Sequence, residues 1–566
     1  GRPGARGARR CPLGAMQGLG DKRGLYHHVP HTSMSVLHTT AQQNRRAELH
    51  GDSTPSAAMP RSNSAGPGGL REARERARRD LYGSLPFIGV FGFQHTERRT
   101  MRVMSRKSLQ SLSEAESEKA ELLDVDVDEI IVTSPLVFAV FVAVLSMFLV
   151  GFNTGVMNAP EPVVFPGHTD LEWAVAVSCF AIGGPFGALA GGLLANIRGR
   201  RGALLICSWI FLLGGLLLSL APSVLWLVPA RLLTGFASGY ASVLCPIYLG
   251  EIAPPTLRGT LGTCTQFAMV IGILASSVLA FPLATEKRWR FLFAVTPALA
   301  ALQLLCSPLL LESPRWLLRQ ETQESGVLAR RCLKQLRGFR SDEEVEQEVA
   351  HLEHASAKHR TRHTSAHSGG AMWDLLTDRT QRVLTVSAIV LQLAQQLCGI
   401  NAVFYYSTTF FTGIIDNPLQ GTTLVATVNV LATYVALRLM DNTGRRTLLL
   451  TSAGGMLVST IFIIAALLGV VPRLIALVAT MAFVSFFEIG LGPVPWLVVA
   501  EMFPAKSVAT AMSIASQTNW AANFMVGLCF PFMNSSLGAW SFGPFAVVLV
   551  LAFAFVYLYL PETHGR

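Results

Sequence analysis

Asn196-Ile197-Arg198-Gly199-Arg200-Arg201 and Asp441-Asn442-Thr443-Gly444-Arg445-Arg446 read almost alike, and 245 residues separate them. Each follows an apolar segment and precedes another. A membrane chain that repeats one basic turn in each half has the pattern of a duplicated helical bundle, and such bundles carry solutes between their halves. Transport is therefore the first functional expectation, before any site residue is weighed.

Outward from these turns, apolar runs long enough to cross a bilayer (about 20 residues) number twelve. They lie near 135–157, 172–195, 203–221, 225–249, 259–281 and 290–311, then near 382–411, 421–440, 447–469, 472–499, 506–531 and 539–560. The pattern predicts an all-α membrane protein of twelve transmembrane helices, in two six-helix halves with a cytosolic helical linker domain. Its parts are a basic arm (1–134), a first bundle (135–311), a linker (312–381), a second bundle (382–560) and a short tail (561–566). Within the linker, an amphipathic helix is expected around Asp342 to Leu352, followed by a lightly structured His/Ser stretch near 358–370.

Composition agrees with a membrane chain. Of 566 residues 51% are hydrophobic and only 14% charged, against roughly 25% charged in soluble domains. Residues 1–110 hold nineteen Lys/Arg against seven Asp/Glu, a surplus of +12, while the whole chain totals +10. The basic character thus belongs to the arm. Its Arg/Ser/Gly/Pro-rich sequence predicts a disordered cytosolic segment lying near anionic lipid, in preference to a nucleic-acid partner. No apolar stretch near the start reads as a signal peptide.

Lys/Arg placement sets the orientation. With the arm inside, the loops holding Arg198, Arg200, Arg201, Arg258, Arg445, Arg446 and Lys506 are cytosolic, as is the central linker. The opposite side keeps only Lys287, Arg288, Arg290 and Arg473 near span ends. Both termini are expected inside, and a plasma-membrane location is expected. Nine scattered cysteines without a CxxC or Cys/His pairing predict no disulfide framework and no metal. No nucleophile, metal cluster or phosphate loop appears, so neither a cofactor nor an enzymatic activity is expected.

Certain stretches carry a family resemblance. They are Gly151-Phe152-Asn153-Thr154-Gly155-Val156-Met157-Asn158-Ala159-Pro160, Tyr248-Leu249-Gly250-Glu251-Ile252-Ala253-Pro254 and Glu312-Ser313-Pro314-Arg315-Trp316-Leu317. Gln392 through Asn401, Gly490-Leu491-Gly492-Pro493-Val494-Pro495-Trp496 and Pro561-Glu562-Thr563-His564-Gly565 continue the series. In this order, from about 135 to 565, they resemble the facilitative hexose transporters, the sugar porters of the major facilitator superfamily. The resemblance implies the major facilitator fold and a sugar substrate.

A sugar offers hydroxyls that both donate and accept, and carboxamides match them. Gln392, Gln395 and Gln396 stand at i, i+3 and i+4, on one helix face, with Asn401 just beyond Gly399, where the helix is expected to loosen. Gln266, Asn429, Asn519 and Asn523 supply further amides from other spans. The plainer reading is that intramembrane amides hold helices together. Three glutamines on one face beside Asn401 favour a wet cavity. The resemblance implies sugar contact for Gln395, Gln396, Asn401, Asn429, Glu488 and Asn523, with Gln266 and Gln392 lining the same cavity and Trp496 stacking on the ring. Gly490 to Pro495 cannot stay a regular helix and is expected to bend. Leu491 stands where the family commonly has proline.

Glu488 is an intramembrane carboxylate, which also raises proton coupling. Proton-coupled relatives carry Asp where this chain has Asn153, so uniport is expected over symport. The expected substrate is glucose first, with tolerance of fructose, mannose or galactose, handled by a monomer. A non-transporting sugar sensor is the rival of a different class. A two-state inner latch is expected from Arg200, Arg201, Glu251 and Arg258 with Asp441, Arg445, Arg446 and Glu501. Val508 occupies a position where the family usually has Arg, which predicts a weaker latch.

Overall fold

The computed structural model describes residues 132–339, 341–363, 377–440, 443–503 and 507–562. Residues 1–131 of the basic arm, Asp441, Lys506, residues 364–370 of the His/Ser stretch and residues 563–566 lie outside the described residues.

Helices α1 (Ser134–Gly155), α2 (Asp170–Ser219), α3 (Val224–Ile252), α4 (Arg258–Leu283) and α5 (Trp289–Cys306) build the first half. Their starts follow local sequence. Thr133 caps α1 by accepting from the Leu136 N–H, with Pro135 in the first turn. Thr169 and Glu172 form a reciprocal capping box on α2. The helix α2 breaks at Gly199, whose φ of 80° only glycine adopts readily. That break is the first basic turn, between the spans expected near 172–195 and 203–221. Gly183 and Gly187 of α2 face the backbone of α3 so closely that a Cβ would lie 2.2 and 1.8 Å from the Leu232 and Phe236 carbonyl oxygens. Small residues at four-residue spacing let the two helices touch along their backbones.

The linker holds α6 (Pro314–Arg319), α7 (Gln323–Arg337) and α8 (Asp342–His363). The helix expected around Asp342 to Leu352 therefore runs on to His363. Leu333, Val345, Val349 and Leu352 form a small core between α7 and α8, edged by the Lys334–Asp342 and Arg337–Glu348 ion pairs at 2.7 and 3.0 Å. Arg337 also donates to the Ile252 and Ala253 carbonyls at the C-terminus of α3 (2.7 and 3.1 Å), where a cation meets the negative end of the helix.

The second half comprises α9 (Arg379–Leu397), α10 (Ile400–Phe411), α11 (Pro418–Met440), α12 (Arg445–Leu467), α13 (Leu474–Ile489), α14 (Val494–Met502), α15 (Val508–Leu537) and α16 (Gly543–Tyr559). Two breaks within it shape the site. Gly399, with φ 95°, separates α9 from α10, and a Cβ there would lie 2.4 Å from the Phe545 ring. Gly490 through Pro493 separate α13 from α14. Among the described residues, nine helical stretches are long and apolar enough to span a membrane, and a further pair, Thr510–Trp540 with Gly543–Tyr559, bends by 92°. No β-strand occurs among them; one isolated bridge joins Thr412 and Ile415. Large apolar side chains such as Phe186, Leu193, Leu305, Leu431 and Leu551 face outward, a surface suited to lipid. The halves meet where α2 packs on α15, α4 on α11 and α1 on α10.

Candidate functional site

The helix face with Gln392, Gln395 and Gln396 turns into the second half, and all three side chains are buried. Asn519 of α15 donates to Gln392 Oε1 and Gln395 Oε1 at 2.7 and 2.5 Å, and accepts from Gln396 Nε2 at 3.0 Å. Asn401, placed by the Gly399 break, donates to Gln396 Oε1. Gln395 Nε2 donates to the Gly492 carbonyl in the α13–α14 break. Asn523, one turn beyond Asn519, accepts from the Tyr405 hydroxyl at 2.9 Å. The structure thus gathers six of the predicted amides around α9, α10 and α15.

These bonds also tie α9 to α15, as the plainer reading requires. That reading leaves other groups unexplained. Asn429 is fully buried with neither carboxamide atom hydrogen-bonded, and Gln392 Nε2 likewise has no partner. A buried polar group left unpaired costs about 1–3 kcal/mol, so these atoms carry spare capacity for a hydroxyl-bearing ligand. Glu488 is buried and linked to the same turn of α11 as Asn429, with the Thr433 hydroxyl 3.2 Å from its Oε2 and 2.8 Å from the Asn429 backbone carbonyl. Gln266 and Trp496 stay half-exposed. Among the described residues they make no hydrogen bond to the amide net. Gln266 sits on α4, which packs against the helix of Asn429.

Sequence reasoning passed over several groups. Asn158 joins the halves at the end opposite the basic turns. It donates to the Phe404 carbonyl (3.0 Å) and Ser407 hydroxyl (2.7 Å) and accepts from the Thr408 N–H (2.9 Å). Glu161 accepts from the Thr409 hydroxyl beside it. Tyr405 and Thr433 hold Asn523 and Glu488. Trp520 rests against Gly184 of the first half, where a Cβ would lie 2.4 Å from its indole. Their signals were available in the runs Asn158-Ala159-Pro160 and Asn519-Trp520, but spacing alone gave them no role.

At the basic turns the structure makes two matching corners. In the first, Arg200 Nη2 donates to Glu251 Oε1 at 2.7 Å and Nε lies 2.7 Å from Oε2. Ser313 donates to Glu251 at 2.5 Å. Glu312 accepts from the backbone N–H groups of Arg200 and Arg201 at 2.8 and 3.1 Å. In the second, Arg445 Nε lies 3.2 Å from Glu501, and Glu562 accepts from the Arg445 and Arg446 N–H groups at 2.7 and 3.2 Å. Gly199 and Gly444 are needed for space: a Cβ would lie 2.3 and 2.4 Å from the Glu312 and Glu562 carboxylates. Burial pushes the Glu312 carboxyl above its usual range, against the pull of those N–H groups and of Arg200. Both ion pairs stay inside one half, and neither links the two. Arg258 is exposed and forms no ion pair among the described residues. Arg201 and Arg446 extend to the Pro308 and Tyr557 carbonyls. Glu312 and Glu562 are the members of this arrangement that sequence reasoning did not assign.

Comparison with known proteins places this architecture. The profile of the family described as "Sugar (and other) transporter" matches residues 139–566. The chain is 39% identical over 466 residues to the human facilitated glucose transporter member 4 of solute carrier family 2, covering 77% of this chain and 89% of that protein. To the sheep (Ovis aries) member 3 it is 37% identical over 461 residues, covering 77% and 91%. Among solved structures it is similar to the inward-open xylose transporter XylE of E. coli, with TM-score 0.64 and 26% identity over 76% of this chain and 98% of that one. A D-xylose–proton symporter matches at TM-score 0.61 and 26% identity, covering 76% and 100%. The chain belongs to the sugar transporter family, the one its sequence motifs resemble.

Proposed function

We propose that the protein is a hexose uniporter, glucose first, working by alternating access between two six-helix bundles. Counting the Gly199 break and the 92° bend as turns between spans brings the helices to twelve crossings. In this reading the basic turns and linker are cytosolic, both termini are inside, and the membrane is the plasma membrane. Bundles 135–311 and 382–560 move against each other around a sugar held by Gln392, Gln395, Gln396, Asn401, Asn429, Glu488, Asn519 and Asn523. Gln266 completes the wall from the first half, and Trp496 offers an aromatic face. The observation that carries the proposal is the fully buried Asn429 amide with both atoms unspent, together with a self-paired amide net on α9, α10 and α15 that can exchange its internal bonds for sugar hydroxyls. A millimolar dissociation constant needs only about 4 kcal/mol, which a few such exchanges supply.

One observation bears on the symport alternative. Asn153 is fully buried in α1, donating to the Leu149 carbonyl and the Thr296 hydroxyl at 2.9 and 3.1 Å. An amide there donates hydrogen bonds but does not titrate, so it cannot load and release a proton as a carboxyl would. Reconstitution into liposomes with labelled glucose decides between the readings. Equilibration to equal concentrations without a proton gradient is expected, and uphill accumulation driven by outside acid would defeat uniport. Fructose, mannose and galactose as competitors define the substrate range. Binding without flux would identify a sensor.

A further inference from the structure

The break between α13 and α14 has an attachment that its sequence does not announce. Gly490 and Gly492 send their N–H groups back to the Phe487 carbonyl at 3.2 and 2.8 Å, and Pro493 has none. The N–H of Leu491 leaves the segment altogether. It donates to Ser452 Oγ of α12 at 3.0 Å, and both residues are buried. Gly490 packs so closely on α12 that a Cβ would lie 2.4 Å from the Leu448 carbonyl oxygen and 2.6 Å from Ser452 Cβ. From the opposite side, Gln395 holds the Gly492 carbonyl. The bend is therefore gripped twice, once from the amide net and once from α12.

We infer that the Leu491–Ser452 hydrogen bond is a tether that fastens the α13–α14 break to α12 and slows the bending of the second half during transport. Ser452 is thus a positioning residue. The inference rests on the transport reading above. Its physical basis is narrow. A proline at 491, as the family commonly has, would offer no N–H, and Ser452 would keep only its own 3.9 Å donation to the Met456 sulfur within α12. With leucine the N–H exists, on a residue only 1% exposed. Any motion that parts the break from α12 leaves it unpaired in an apolar setting. That cost falls on the bent transition state and not on sugar contact. A hexose that takes the Gln395 amide frees the Gly492 carbonyl, and the Ser452 bond remains as the restraint still to be broken.

The test uses the full chain in liposomes, with labelled glucose, and four variants. Ser452→Ala and Leu491→Pro each remove the bond, and each is expected to raise the maximal flux about two- to tenfold, the range of one net hydrogen bond. The half-saturation concentration should stay within about twofold. Combining them should give no more than either alone, and Ser452→Thr, which keeps a hydroxyl, should behave as the unmodified protein. Additive effects, or equal behaviour of Ser452→Ala and Ser452→Thr, would overturn the tether. Thermal unfolding without sugar separates this inference from the transport reading. Ser452→Ala should lower the midpoint in the Leu491 chain and leave it unchanged in the Leu491→Pro chain. Equal losses in both would sink the tether whatever the flux. An unmodified protein that carries no hexose would overturn the transport reading and the rate claim with it. Should Leu491→Pro fail to fold, the Ala-against-Thr contrast at 452 still decides.

Discussion

The two ends of the helix bundle are held in different ways. At the end with the basic turns, the ion pairs and carboxylate clamps close within each half: Arg200 with Glu251, Arg445 with Glu501, Glu312 and Glu562 on backbone N–H groups. At the opposite end the bonds run from one half to the other, through Asn158 and Glu161 to α10. On the topology proposed above, with the basic turns cytosolic, this is the pattern of a transporter closed at its outer end. In that reading the inner corners keep each bundle rigid so that it moves as a body, and the outer bonds break each time the mouth opens.

The corners themselves differ, and breaking them gives the largest expected effect. Arg200 and Glu251 are 3% and 11% exposed, whereas Arg445 and Glu501 are 14% and 31% exposed. Removing one partner of a buried pair strands the other charge and costs about 3–5 kcal/mol. A partly solvated pair is worth about 1 kcal/mol. Arg200→Ala should therefore lower thermal stability in detergent far more than Arg445→Ala. Similar losses would mean that the two corners are equivalent despite their burial.

At the outer end, Asn158→Ala removes three hydrogen bonds between the halves. At roughly 1 kcal/mol each, the outer-closed state should lose about 2–3 kcal/mol relative to the outer-open one. Cysteine-accessibility labelling of the outer cavity in intact vesicles should rise, while the unfolding midpoint moves little. A fall in stability without a change in labelling would make Asn158 a structural residue only.

A smaller effect at the same end depends on pH. Burial pushes the Glu161 carboxyl above the usual carboxylate range, opposed by the Thr409 hydroxyl and by His168, with Asp170 adding to the rise. Tyr406 of α10 faces the same group. A raised value means that the closed mouth binds the proton more tightly than the open one. Acid outside should then favour closure, and the preference should fade as the outer pH rises through that value. Influx of sugar should fall on external acidification, and Glu161→Gln should flatten the profile. An unchanged slope in that variant would place the titration elsewhere.

How much of this was legible beforehand follows from the kind of signal each feature leaves. The helices and their breaks were readable because length, apolarity and the Gly/Pro runs at 399 and 490–495 act locally. The amide face of α9 was readable because i, i+3 and i+4 share a side on any helix. The bond partners were not. Asn519 joins Gln392 and Gln395 across more than 120 residues of chain, and Glu312 meets Arg200 across 112. Such pairings depend on how the bundle closes, which no local pattern states. The matched Glu312 and Glu562 came close to being legible: each follows its half's last span, as each basic turn follows that half's second.

The smallest expected effect concerns the weaker corner. Val508 opens α15 and packs on an apolar cluster with Ala388, Val499, Phe503 and Ala511. It stands seven residues after Glu501, as Arg258 stands seven after Glu251. An arginine at 508 would sit at the positive end of a helix, which is slightly unfavourable, and would have to reach past that cluster to water with its head group. Against this, it restores to the second half the cation that the first half carries at Arg258. When the inner ends approach, that cation has Glu251 and Glu501 to choose from, and a partly exposed pair adds up to about 1 kcal/mol. Val508→Arg should therefore strengthen inner closure and slow net efflux by no more than about fivefold, with exchange at equal sugar on both sides less affected. Efflux that is unchanged or faster would show that this asymmetry between the corners has no bearing on the gate.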